Sequence, residues 1–92
     1  MIKSWQHKGL KSFYETGDKS GIIPEHAKRL KALLQLLNAA NALERLNLPG
    51  LDFHPLKKNL SGFYSIAVRA NWKIIFQFEG ENAILVDYLD YH

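Results

Sequence analysis

The sequence predicts an α+β domain, with two helices in the N-terminal half packed on one face of a small antiparallel β-sheet formed by the C-terminal half. Three observations carry this. Apolar residues recur at helical spacing up to about residue 42 and at alternate positions beyond residue 50, and Asn47-Leu48-Pro49-Gly50 breaks the chain between the two regimes. The third observation is size: 92 residues, 47% of them apolar and including five Phe, four Tyr and two Trp, are enough for one core and too few for two ordinary domains.

In chain order, Ile2-Lys3-Ser4-Trp5 alternates apolar and polar residues as an edge strand would. Leu10, Phe13 and Tyr14 follow i, i+3, i+4 spacing and Gly17 stands where a helix stops, so residues 8–16 are expected to form a short amphipathic helix. Pro24 suits a first helical position. Behind it Ala27, Leu30, Leu33, Leu34, Leu37 and Ala40 form one stripe, with Lys28, Arg29 and Lys31 on an expected solvated face, and this helix is placed at about residues 24–42. Between Phe63 and Phe78, apolar and β-branched residues cluster on both sides of Arg69-Ala70-Asn71, the composition of a β-hairpin. Tyr64, Ile66 and Val68 lie on one face of its first strand, and Trp72, Ile74, Phe76 and Phe78 alternate along the second. Glu79-Gly80-Glu81-Asn82 is expected to turn into a third strand from Ala83 to Asp87. The helices would cover one sheet face and leave the other available.

Twelve Lys plus Arg against nine Asp plus Glu give a net charge of +3, and the isoelectric point is near 9.3. This balance permits an RNA, DNA or membrane-surface partner without requiring one. Without cysteine the chain can hold neither a disulfide framework nor a thiolate zinc site. Charges spread through residues 1–30 leave no apolar run for a signal peptide or membrane span, so a cytoplasmic location is expected. His7, His26, His54 and His92 show no close ligand spacing and no accompanying carboxylate cluster, which disfavours a metal or other cofactor.

The hairpin carries cations at selected points. His54 and Lys57 precede it, Arg69 closes its first strand, Asn71 occupies the turn and Lys73 opens the second strand. Donors at fixed separation on a sheet suit a polyanion better than a small apolar ligand. His54-Pro55-Leu56-Lys57, the run from Ser65 to Phe78 and the closing Asp90-Tyr91-His92 resemble the HigB-type toxins of the RelE/ParE superfamily over essentially the whole chain. The resemblance implies a RelE-like microbial RNase fold and the toxin of a type II toxin–antitoxin pair. Its activity would be metal-independent endonucleolytic cleavage of messenger RNA in the A site of the 70S ribosome. Its partner would be a HigA-type helix-turn-helix antitoxin.

Metal-free cleavage of this kind requires the ribose 2′-OH to attack the adjacent phosphorus. One group must take the 2′-OH proton, another must neutralise charge on the phosphoryl oxygens, and a third must protonate the departing 5′-oxygen. His54 and His92 are the natural proton carriers, and Asp90 can orient an imidazole or accept the proton itself. Lys57, Arg69 and Lys73 are candidate charge stabilisers, and Tyr91 offers a ring for stacking or a hydroxyl for a phosphate. By resemblance Asn71 would help recognise the nucleotide, its amide pairing with an adenine edge. Many relatives carry arginine where this chain has Lys73, and lysine supplies charge without the planar bidentate fork.

Each residue also has a plainer reading. His54 suits a half-buried strand start, Arg69 a solvated strand end, Asn71 a turn that needs φ > 0, and Asp90-Tyr91-His92 a frayed terminus. Trp5, Trp72 and Phe76 are expected in the core. Two other functions remain open at this point: a ParE-like inhibitor of DNA gyrase and a non-catalytic RNA-binding module.

Overall fold

The computed structural model describes residues 1–91, with the helices preceding the strands as expected. Helix α1 spans Lys8–Thr16. His7 starts it, its Nδ1 accepting the Leu10 N–H at 2.9 Å, and Gly17 ends it in the left-handed region (φ 84°) with its N–H donating to the Phe13 carbonyl at 2.8 Å. Within the helix, Gly9 abuts the backbone of Gly21. A Cβ on Gly9 would lie 2.6 Å from the Gly21 carbonyl oxygen, and one on Gly21 would lie 2.6 Å from the Gly9 Cα. The close approach of α1 to the following loop therefore needs glycine on both sides.

The second helix is shorter than its apolar stripe. Pro24–His26 forms a 3-10 turn, helix α2 spans Ala27–Ala39, and a further 3-10 turn covers Leu43–Leu46. Ala40 is already extended yet still buried, so the apolar pattern outlasts the helical backbone. Leu30, Leu33, Leu34 and Leu37 bury the expected face, and α2 packs on the sheet against its second and fourth strands.

The sheet has four strands where three were expected: β1 (His54–Pro55), β2 (Tyr64–Arg69), β3 (Trp72–Glu79) and β4 (Asn82–Asp90), antiparallel in that order. Two residues are too few for β1 to show alternation. β4 outruns the expected Ala83–Asp87 at both ends, because Asn82 already pairs with Glu79 while Tyr88 and Asp90 go on pairing with Ile74 and Trp72. The N-terminal segment runs parallel to β4, but only as two bridges, Ile2 to Ala83 and Trp5 to Val86. A register shift opposite Ile75–Gln77 accommodates it. Leu85 takes a positive φ of 54° there, and its N–H donates to the Ser4 hydroxyl at 2.8 Å.

Ile66, Ile74, Phe76 and Val86 meet Leu10 and the α2 leucines in the core, with Trp5 and Trp72 packed partly buried against it. Its polar member, His26, shares a 2.6 Å hydrogen bond with the Tyr88 hydroxyl. Burial pushes the Tyr88 pKa above its ordinary value, and a backbone hydrogen bond from Ile23 works against that shift. Among the described residues no helix is long and apolar enough to cross a membrane.

The Gly9–Gly21 approach yields a stability prediction. Gly9→Ala forces backbone against backbone and should lower the unfolding free energy by about 1–3 kcal/mol, read as a lower urea midpoint at unchanged slope. A wild-type midpoint would show that α1 and the loop separate without loss.

Candidate active site

The strand register determines which side chains share a surface. His54, Ser65, Ile75 and Asp87 are partners in one row across all four strands, and Ala67, Lys73 and Leu89 form the parallel row on the same face. This is the face away from the Ile66–Ile74–Tyr88 row of the core. It is only partly open. Ser65 and Ile75 are buried on it, and Leu56, from the segment that returns along β2, is buried as well.

That segment is pinned by a residue expected to face solvent. Arg29 of α2 donates through Nη2 to the carbonyls of Gly50 (2.8 Å) and Ala67 (2.9 Å), while the Ala67 N–H donates to the Leu51 carbonyl at 2.8 Å. Arg29 therefore leaves the solvated face assigned to it, because both carbonyls lie within reach of its fork and need a donor. The next residue, Asp52, takes a positive φ of 49°.

Asp52 meets two of the candidate residues. Its backbone carbonyl lies 3.0 Å from His54 Nδ1, and its carboxylate lies 3.9 Å from the same nitrogen and 3.8 Å from Lys73 Nζ. A carbonyl can only accept, so Nδ1 carries the hydrogen and in the neutral ring Nε2 keeps the lone pair. Ser65 Oγ stands 3.5 Å from that Nε2, long for a hydrogen bond. The His54 side chain is 45% exposed and that of Lys73 15%. Sequence reasoning passed over Asp52, which belongs to no motif and stands 21 positions from Lys73.

The other candidates gather at the adjoining sheet end. Arg69, Trp72 and Asp90 form the last paired row, one residue along β3 from Lys73. A bulge between Ala67 and Arg69 resets the alternation just before the turn. The turn's positive φ falls on Ala70 (51°) rather than Asn71, which corrects the backbone explanation for the asparagine. The Asn71 carbonyl instead accepts the Tyr91 N–H at 2.8 Å and holds the residue after β4 against the hairpin turn. Arg69 is exposed and Tyr91 partly buried. Lys57 is exposed at the entry to the 3-10 turn Lys58–Leu60, and His92 lies outside the described residues.

The arrangement sets an imidazole, its Nε2 3.5 Å from the Ser65 hydroxyl, and a lysine on one carboxylate, with an exposed arginine and a backbone-anchored asparagine at the hairpin turn one row further along the strands. Such a surface can take a proton and neutralise a phosphate. Among the described residues no three His, Cys, Asp or Glu side chains gather as a metal site. A groove of about 440 Å³ lies elsewhere, between α1 and α2. It is lined by residues of α1, α2 and the loop between them and includes none of the candidate residues.

The four-stranded antiparallel sheet backed by two helices is an α+β fold of the RelE type. The fold is similar to a chain of the YoeB–YefM complex from Staphylococcus aureus (TM-score 0.62, 14% identity), covering 100% of this chain and 98% of that one. The model of the HigB-like toxin family, described as the RelE-like toxin HigB of type II toxin–antitoxin systems, matches residues 3–92, and the chain belongs to this family. It is 44% identical over 92 residues to Endoribonuclease HigB of Proteus vulgaris, covering 100% of both chains. To Toxin HigB-1 of Vibrio cholerae serotype O1 it is 35% identical over 94 residues, covering 100% of this chain and 98% of the relative.

If Arg29 pins the segment that carries Asp52, Arg29→Met should lower stability by about 1.5–3 kcal/mol, the range for hydrogen bonds to a charged group. It should also speed amide exchange at Ala67 more than at Ile74 in the core. Unchanged protection at Ala67 would show that the segment is held without the arginine.

Proposed function

We propose that this chain is an endoribonuclease toxin that cleaves messenger RNA in the A site of the 70S ribosome. The cleavage proceeds by attack of the ribose 2′-OH on the adjacent phosphorus, without a metal ion. Family membership and the name of the Proteus vulgaris relative support ribonuclease activity. The observation that carries the chemical reading is the His54–Asp52–Lys73 cluster, one residue along β3 from the Arg69–Trp72–Asp90 row.

In this reading His54 or Asp90 takes the 2′-OH proton, and His92 protonates the departing 5′-oxygen. Arg69 and Lys73 neutralise the phosphoryl oxygens and Lys57 extends the positive approach. Lys73 acts as a point charge, so Arg69 supplies the planar fork. Asn71 pairs with a base edge and Tyr91 stacks on a base or bonds a phosphate. None of these residues lines the groove between α1 and α2, and a sheet surface offers few contacts to orient a flexible RNA. Holding the message in a reactive geometry is therefore the ribosome's contribution. A HigA-type helix-turn-helix antitoxin neutralises the toxin in the cytoplasm. The family description, a toxin of type II toxin–antitoxin systems, supports an antitoxin partner.

Purified protein mixed with ribosomes carrying a defined message should cut within the A-site codon and leave a 2′,3′-cyclic phosphate, while the same RNA free in solution stays largely intact. A single 2′-deoxy nucleotide at the attacking ribose should stop the cut. Continued cleavage of the deoxy message would overturn the 2′-OH mechanism, and rapid site-selective cleavage of free RNA would overturn ribosome dependence.

Arg69→Ala and His92→Gln should each lower the single-turnover rate constant by about 10²-fold or more, the usual contribution of a transition-state group. Ribosome affinity, read by pelleting the complex, should change far less. Equal losses of binding and rate would assign these residues to docking instead.

A further inference from the structure

We infer that Asp52 is the positioning residue that makes His54 the general base of the cleavage step. This rests on the ribonuclease reading above. The backbone carbonyl of Asp52 selects the His54 tautomer, and its carboxylate supports the imidazolium that forms.

The geometry supplies both functions from one residue. With the Asp52 carbonyl 3.0 Å from Nδ1, the hydrogen sits on that nitrogen and the basic lone pair is on Nε2. During cleavage the 2′-O–H bond breaks and its proton passes to Nε2. The oxygen's electron pair forms the bond to phosphorus, the P–O5′ bond breaks, and its pair leaves on the 5′-oxygen, which takes a proton from His92. His54 is then a cation, 3.9 Å from the Asp52 carboxylate. An anion at that distance favours the charge that develops as the proton arrives. The position of Asp52 is not left to its own flexibility. Arg29 holds the Gly50 carbonyl, the Leu51 carbonyl accepts from Ala67, and Asp52 itself takes a positive φ of 49°.

The charged neighbour on β3 distinguishes this role from phosphate binding. Lys73 Nζ lies 3.8 Å from the same carboxylate, which is 69% exposed. Before substrate arrives, Asp52 therefore holds a cation that the phosphate will need, and its own charge repels that phosphate. Removing the charge should slow the chemical step without weakening substrate binding. A residue that merely kept the loop folded would weaken both.

The test is single-turnover cleavage on programmed ribosomes over a range of enzyme concentrations, comparing wild type, Asp52→Asn, Asp52→Glu, His54→Gln and the Asp52→Asn/His54→Gln double variant. Asp52→Asn should lower the rate constant by about tenfold with half-saturation unchanged or lower, and Asp52→Glu should recover part of the loss. In the His54→Gln background Asp52→Asn should cost nothing further, because it acts through the imidazole. A wild-type rate for Asp52→Asn beside a slow His54→Gln overturns this inference and leaves the ribonuclease reading intact. An equal Asp52→Asn loss in both backgrounds, or a loss accompanied by weaker saturation, also overturns it. A wild-type rate for His54→Gln removes the base assignment and this inference together, whereas absence of cleavage by the wild type removes the ribonuclease reading itself. Nitrogen-15 shifts of the His54 ring in the unmodified protein give an independent reading. The Nδ1–H tautomer supports the assignment and the Nε2–H tautomer overturns it, whatever the folding of the variants.

Discussion

Much of the candidate site depends on how the peptide groups of Ala67 are bonded. Its N–H goes to the Leu51 carbonyl and its own carbonyl accepts from Arg29, at 2.8 and 2.9 Å. Strand β1 is two residues long and ends its pairing with β2 at Ser65, so without these partners the outer edge of β2 would be left unpaired beyond it. Satisfying that edge draws the 50–52 segment onto the sheet. The Asp52 carboxylate thereby comes between His54 on β1 and Lys73 on β3. A requirement of backbone hydrogen bonding thus assembles a charged cluster from two separate parts of the chain.

The neighbouring sheet end is built on less relaxed backbone. Ala70 occupies the left-handed region without being glycine, and a bulge precedes it in β2. A residue with a Cβ in that conformation costs about 1–2 kcal/mol. The Tyr91 N–H bond to Asn71 and the Trp72–Asp90 pairing stabilise the same turn. The result is an exposed arginine on a tightly held hairpin. This is the preorganisation a charge-stabilising group needs if little is to be reorganised during reaction.

The two faces of the sheet divide the work. On the helix side, apolar side chains and the His26–Tyr88 hydrogen bond hold α2 to β4 with its polar group satisfied. On the other side, Ser65 is buried directly beside the partly exposed His54, so an imidazole can stay open to a substrate while resting on a packed floor. A partly open second face was expected, but alternation records which way a side chain points and not what later covers it, so it did not reveal that Ser65 and Ile75 would be buried there.

Some features were legible because they are local. The end of α1 follows from Gly17, which acts within four residues, and the switch from helical to alternating periodicity placed β2 and β3 correctly. The residue types at 54, 57, 69, 71, 73, 90, 91 and 92 carried the family resemblance, and full-length family membership agrees with it. Other features came only with the tertiary structure. The extent of β4 depended on partners in β3, the burial of Ala40 mimicked a longer helix, and β1 was too short to show a period. Arg29 and Ala67 are 38 positions apart, and the cluster at Asp52 joins residues from both sides of the hairpin turn. Periodicity reports the geometry of a few neighbouring residues, so it reveals which groups a strand or helix presents. Which of them meet is decided by the packing of the whole chain, and Asp52 emerged only there.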